Sequence, residues 1–168
     1  MQRRTLIKVG VATGAMLAMA GGTLVLIKPG RQDGLLTPAG RGLLTAVARS
    51  VLGPLLPVEV TARTRALEAH LTRVQATIAG MPVPVQAEVD ELLTVLASAP
   101  GRLGLVGLIR DWPDAEEGAV TAALQRMRLS TLAVRQQAYH ALRDLTNASY
   151  FADAATWPSI GYPGPRAL

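Results

Sequence analysis

From Thr37 to Ala148 apolar residues recur at three- and four-residue intervals, broken by proline and glycine, and that spacing commits the chain to helices. Thr37-Pro38 is a helix start: the Thr hydroxyl can accept an orphan N–H, and proline fits the first turn, where its missing donor costs nothing. Leu43, Leu44, Val47, Val51 and Leu52 follow until Gly53-Pro54 stops the run. A second helix is predicted to open near Thr61, carrying Leu67, Leu71, Val74 and Ile78, and to end at Gly80 and Pro82. A third starts near Pro84, with Val85, Val89, Leu92 and Leu96 in phase and Glu88, Asp90 and Glu91 placed where the helix dipole favours negative charge. Pro100-Gly101 ends it.

Leu103–Ile109 reads as a short buried helix, and Asp114 as the cap of a helix with core positions Val120, Leu124 and Met127. Leu132, Tyr139, Leu142 and Leu145 continue the pattern, in the same helix or after a bend near Ser130-Thr131. No stretch alternates with period two. The expectation is an all-α domain, a small irregular helical bundle over 37–149, followed by an extended aromatic and Pro-rich C-terminal arm over 150–168.

Residues 1–28 read differently. Arg3-Arg4, Thr5, Leu6, Ile7 and Lys8 lead into a weakly apolar, Gly/Ala-rich stretch from Val9 to Ile27, the order of an export leader. Paired arginines point to the twin-arginine route, whose pattern is Ser or Thr, two Arg, any residue, Phe, Leu, Lys. Arg3, Arg4 and Lys8 match it, while Gln2, Leu6 and Ile7 stand in for the other three positions. Ala18-Met19-Ala20 offers cleavage after Ala20; an uncleaved leader would instead tether the domain to the membrane, since the apolar run is about long enough to span a bilayer at roughly 20 residues. Gly10-x-x-x-Gly14 is a helix-dimerisation spacing that so Gly-rich a leader produces by chance. Residues 29–36 read as a flexible linker.

Without the leader roughly 140 residues remain, enough for one domain. The chain has no cysteine, which excludes disulfides, thiolate metal sites, iron–sulfur clusters and covalent c-type haem. Cleavage would remove three basic residues and reduce the net charge from +5 to +2, with the arginines scattered, so nucleic acid is not an expected partner. His70 and His140 stand far apart without acidic partners at ligand spacing and read as partly exposed helix residues. Asp114, Glu116 and Glu117 read as a solvated helix start, and Arg126, Arg128, Arg135 and Arg143 as surface or interface residues. No nucleophile elbow, nucleotide fingerprint or zinc-protease motif is present, so no catalytic, cofactor-binding or metal residue is assigned.

The tail from Tyr150 to Pro165 holds Tyr150, Phe151, Trp157 and Tyr162, four of the six aromatics, together with Pro158, Pro163 and Pro165. Rigid aromatics in a proline-stiffened segment suit a protein interface, at low entropic cost, as well as an arm covering the domain's own core. Tyr150, Phe151, Asp153, Trp157 and the run Gly161-Tyr162-Pro163-Gly164 resemble the C-terminal ending of the small subunits of gluconate 2-dehydrogenase-type complexes. The twin-arginine leader, the Thr37-Pro38 helix start and the Tyr139–Leu142–Arg143 neighbourhood are also similar, whereas Ala154-Ala155-Thr156 replaces a Gly-Gly-Asn stretch expected before the Trp. The resemblance implies a non-catalytic periplasmic subunit whose partner is a large glucose–methanol–choline-type flavoprotein, with FAD on that partner and in some complexes a c-type cytochrome. It implies passage through the twin-arginine translocation machinery, and partner contact through Tyr150, Phe151, Trp157, Tyr162 and Pro163. A stand-alone enzyme and an exported binding or anchoring protein are the competing classes.

Overall fold

The central element is α1 (Pro38–Val51), and the other helices are arranged around it because its apolar residues occupy most of its circumference: Leu43, Leu44, Ala46, Val47 and Ala48 are all buried. The computed structural model describes residues 28–164. In it α1 is followed by α2 (Val60–Ala79), α3 (Val83–Ala97), α4 (Glu117–Arg128) and α5 (Ala133–Phe151). Helices α2, α3, α4 and α5 all pack on α1, and α5 also runs against α2 and α4. The all-α expectation holds: the strand content of the described residues is a single two-stranded hairpin. No described helix is long and apolar enough to cross a membrane.

Local chemistry sets the helix ends. The Thr37 hydroxyl accepts from Gly40 N at 3.2 Å, with Pro38 at the first helical position, and the break after α1 falls at Gly53-Pro54, which starts a short 3₁₀ turn. Glu59 caps α2, its carboxylate accepting from Thr61 N at 2.7 Å and Ala62 N at 2.6 Å. Those backbone N–H groups, Thr61 first, hold its pKa below the usual carboxylate value. The cap of α4 is Glu116 rather than Asp114, because Asp114 is taken up by a 3₁₀ turn, Trp112–Asp114, which Asp111 caps by accepting from Trp112 N. The bend expected near Ser130-Thr131 separates α4 from α5.

Two segments differ from expectation. Residues 29–36, read as a flexible linker, include a hairpin pairing Arg31 with Leu36 and Gln32 with Leu35. Its turn is Asp33-Gly34, both at positive φ, and its anchor is the Arg31 guanidinium, which donates to Asp90 Oδ1 of α3 at 2.6 Å and to Gly34 O at 3.1 Å. The hairpin lies so close to α1 that a Cβ added at Gly40 would stand 2.0 Å from Gly30 O. The apolar run 103–109, read as a buried helix, is instead a π-turn, Arg102–Val106, followed by a loop. Val106 and Leu108 enter the core while Leu103 and Ile109 face solvent. The loop folds around the buried Arg102, whose Nη1 donates to the carbonyls of Leu108, Ile109 and Arg110.

The main core joins α1 to inward faces of α2, α3, α4 and α5. Trp112 is its largest member, 1% exposed, with its indole N–H donating to Leu96 O at 2.7 Å. A second cluster at one end gathers Ala48, Leu52, Leu56, Leu67 and Tyr150. Complete burial of a large apolar side chain contributes about 1.5–3 kcal/mol, so the fully enclosed Leu43, Leu44, Val47, Leu93 and Leu96 dominate the cohesion of the bundle.

Candidate functional site

The tail residues that carry the resemblance form one cluster at the C-terminal end of α5. Tyr150 and Phe151 belong to α5 itself, which runs to Phe151. Tyr150 is only 7% exposed and sits in the second core cluster, its hydroxyl donating to Leu55 O at 3.2 Å and its ring tilted over His70. Burial pushes its phenol pKa above the ordinary value, offset in part by Arg73. Phe151 packs edge-on against Tyr150, with ring centroids 5.2 Å apart.

Beyond α5 the chain is not extended. Ala154–Ile160 is 3₁₀, with Pro158 inside it and Asp153 as its cap, accepting from Ala155 N at 3.0 Å. Proline fits because its fixed φ lies within the 3₁₀ range and a short turn forfeits little by losing one donor. Trp157 donates its indole N–H to Phe151 O at 2.8 Å, which folds the turn back onto the end of α5. Gly161 closes the turn at φ +72° and Gly164 follows at φ +94°, both conformations that favour glycine. Between them Tyr162 N donates to Trp157 O at 3.1 Å, and the Tyr162 ring meets the Trp157 ring edge-on at 5.3 Å. The Gly-Tyr-Pro-Gly run thus has a physical reading: left-handed Gly161 swings Tyr162 onto Trp157, and left-handed Gly164 brings the backbone against the Trp157 ring. The product is a small aromatic platform with Trp157 half-buried and Tyr162 and Pro163 exposed.

Arg73 of α2 fastens this cluster, donating from Nε to Ser149 O at 3.2 Å and from Nη1 to Asp153 Oδ2 at 3.1 Å. Sequence reading missed Arg73, because a single arginine on a helix face carries no local signal of a partner eighty residues away. His70 was also misread. It is fully enclosed, on the same stripe as Leu67, Leu71 and Val74, and position 70 lies three residues after Leu67, a spacing that could have revealed it. Burial, then the nearby Arg73 charge, lowers its pKa to about 4, and neither ring nitrogen has a hydrogen-bond partner among the described residues. His140 is exposed beside Tyr139.

Of the five residues predicted to contact a partner, Tyr150 is therefore largely core, Phe151 lies beside it, and Trp157, Tyr162 and Pro163 make the outward platform. Arg3, Arg4 and Lys8 of the leader lie outside the described residues, as does Pro165 of the tail.

A second feature lies between α3 and α5, which scarcely touch each other. The gap is an apolar cleft of about 400 Å3. Val85, Val89 and Leu92 form one wall, Ala138, Ala141 and Leu145 the other, and Leu105 and Val134 sit at one end. Glu88, Glu91 and Asp144 supply its charged lining, and no basic residue lines it. The lining is thus an apolar floor with negative charge at its margins.

Among the described residues no group of three or more His, Asp or Glu side chains is placed to hold a metal ion. Asp114 and Glu116 are exposed, and Glu117 is engaged by Arg63 at 3.0 Å and Arg49 at 3.6 Å. Comparison with protein-family models, with curated proteins and with solved structures finds no match to this chain.

Proposed function

We propose that this chain is the non-catalytic small subunit of an exported, FAD-dependent sugar, alcohol or acid dehydrogenase complex. It supplies the twin-arginine leader and escorts or stabilises a large glucose–methanol–choline-type flavoprotein, with or without a c-type cytochrome subunit, into the periplasm. An uncleaved leader would hold the complex at the membrane. The observation that carries the reading is the pairing of the Arg3-Arg4 leader with a C-terminal ending whose motif residues gather into one aromatic platform. A flavoprotein must fold around its FAD before crossing, and a folded subunit bound to it can carry the address for both.

Partner contact is assigned to Trp157, Tyr162 and Pro163, with Phe151 and Tyr150 supporting them from below. Rigid Trp and Tyr side chains that keep a face open to a partner are the usual anchors of interfaces and lose about 2 kcal/mol or more on truncation, roughly thirty-fold in affinity. The test is Trp157→Ala with Tyr162→Ala in the full chain, measuring affinity for the co-expressed large subunit and the thermal midpoint of the free subunit. The expected result is at least a thirty-fold loss of affinity, with the helices intact. Unchanged affinity with a lowered midpoint would make the platform a piece of the fold and nothing more.

A further inference from the structure

The cleft between α3 and α5 is apolar and left uncovered by the described elements, and its volume of about 400 Å3 is in the range of sites that accept a ligand or a chain segment. We propose that its occupant is the chain's own leader: before export, the apolar stretch from Val9 to Ile27 seats between α3 and α5, and the folded domain shelters its own address.

Three observations on different parts of the molecule converge on this. The first is where the described chain begins. Lys28 lies beside Asp111, Nζ to Oδ2 4.0 Å, and Asp111 is paired with Arg102. The π-turn that starts at Arg102 carries Leu105 to one end of the cleft, so residues 1–27 leave the domain near that end. About four extended residues reach roughly 13 Å, enough to round the end of α3. The cleft wall from Val85 to Val95 is about 15 Å long at the helical rise, so the rest of the leader more than spans it.

The second is charge. Glu88, Glu91 and Asp144 line the cleft without a basic residue, while the leader carries Arg3, Arg4 and Lys8 and no acidic residue. The third is size. α5 presents Ala138, Ala141 and Ala148 to the cleft, and the leader is itself rich in Gly and Ala, so two backbones can approach closely there. A leader of low hydrophobicity suits this use, since it must leave the cleft when the translocation machinery takes it. The inference goes beyond the proposed function and does not depend on the identity of any partner.

Because the chain has no cysteine, an engineered pair reports a single proximity. The experiment uses the full chain, leader attached, purified under reductant from cells lacking the translocation machinery and then exposed to a mild oxidant. Leu17→Cys with Ala141→Cys joins the leader to the cleft; Leu17→Cys with Ala122→Cys joins it to an exposed position on α4 outside the cleft. The intramolecular disulfide should form roughly tenfold faster or more in the first pair, because a seated segment exceeds the effective concentration of a free tether. Adding Val85→Lys, at a half-exposed position in the first turn of α3, sets a charge of the leader's own sign on the apolar wall and should return the rate to that of the control while helicity is unchanged. Equal rates in the two pairs would overturn the proposal, as would a rate indifferent to Val85→Lys. Disulfide-linked dimers in place of the intramolecular product would assign the cleft to a second copy instead, and also overturn it. All arms are read on the isolated chain, so failure here leaves the flavoprotein reading intact, and failure of that reading leaves this one intact.

Discussion

Protonation of His70 should dominate the acid sensitivity of this domain. Its ring is fully enclosed, its nitrogens have no partner among the described residues, and Arg73 stands one turn away on the same helix. The native state therefore holds the neutral imidazole, with a pKa of about 4 against an ordinary 6.5. An unfolded chain takes up the proton from about pH 6.5 downward while the native chain resists until about pH 4. The His70 contribution is intact above pH 6.5, falls between 6.5 and 4, and levels off below. A lowering of that size is worth about 3 kcal/mol, a large part of a typical domain stability. His70→Leu removes the titration at nearly constant volume. Urea unfolding of both full chains at pH 7, 6, 5 and 4 should show the variant gaining about 3 kcal/mol on the parent as pH falls. Carboxylate titrations common to both cancel in the difference. At pH 7 the variant should already be as stable as the parent or more so, because two unpartnered buried polar atoms are gone. Parallel pH profiles would instead mean that the ring is protonated alike in both states, with water or a polar group reaching it.

Two further substitutions test other parts of the account. Asp90→Ala leaves the buried Arg31 guanidinium without its carboxylate and should cost about 2 kcal/mol in urea unfolding, discounted from a fully buried pair because Asp90 is partly exposed; an unchanged midpoint would mean that the hairpin adds nothing to the domain. Arg3→Lys with Arg4→Lys keeps the charge and removes the guanidinium geometry, so cell fractionation should find the chain and any bound partner retained together in the cytoplasm. Normal periplasmic accumulation of that variant would exclude the twin-arginine route.

What the sequence disclosed follows the range of the forces involved. Helices α1 and α2 lie within a residue or two of expectation because stripes, caps and Pro/Gly stops act over one or two turns, whereas α3 ends at Ala97, ahead of the expected Pro100-Gly101 stop, because Ser98 turns extended and caps the short helical turn that holds those residues. Residues defined by distant partners were not legible. Arg31 acquires its meaning from Asp90, Arg73 from Ser149 and Asp153, and Trp112 from the Leu96 carbonyl. The expectation of an extended arm failed for a related reason: Pro158 excludes a long α-helix but not a short 3₁₀ turn held by the Trp157 indole on Phe151. The same geometry makes point substitutions a cleaner test of the arm than truncation. Ending the chain after Ala148 would remove Tyr150 from the core and Asp153 from Arg73, so loss of binding in that truncation would not separate contact from folding.

The proposed function requires that this chain travel with a flavoprotein. Its most direct test is isolation of the tagged full-length chain from the periplasm of its native host under mild conditions, followed by identification of every co-purifying chain and a flavin absorption spectrum. The expected result is a large glucose–methanol–choline-type chain in stoichiometric amount, with FAD that stays with that chain when the two are separated and a small subunit that is colourless and inactive alone. Recovery of the small chain without a flavoprotein, or of flavin bound to the small chain itself, would contradict it.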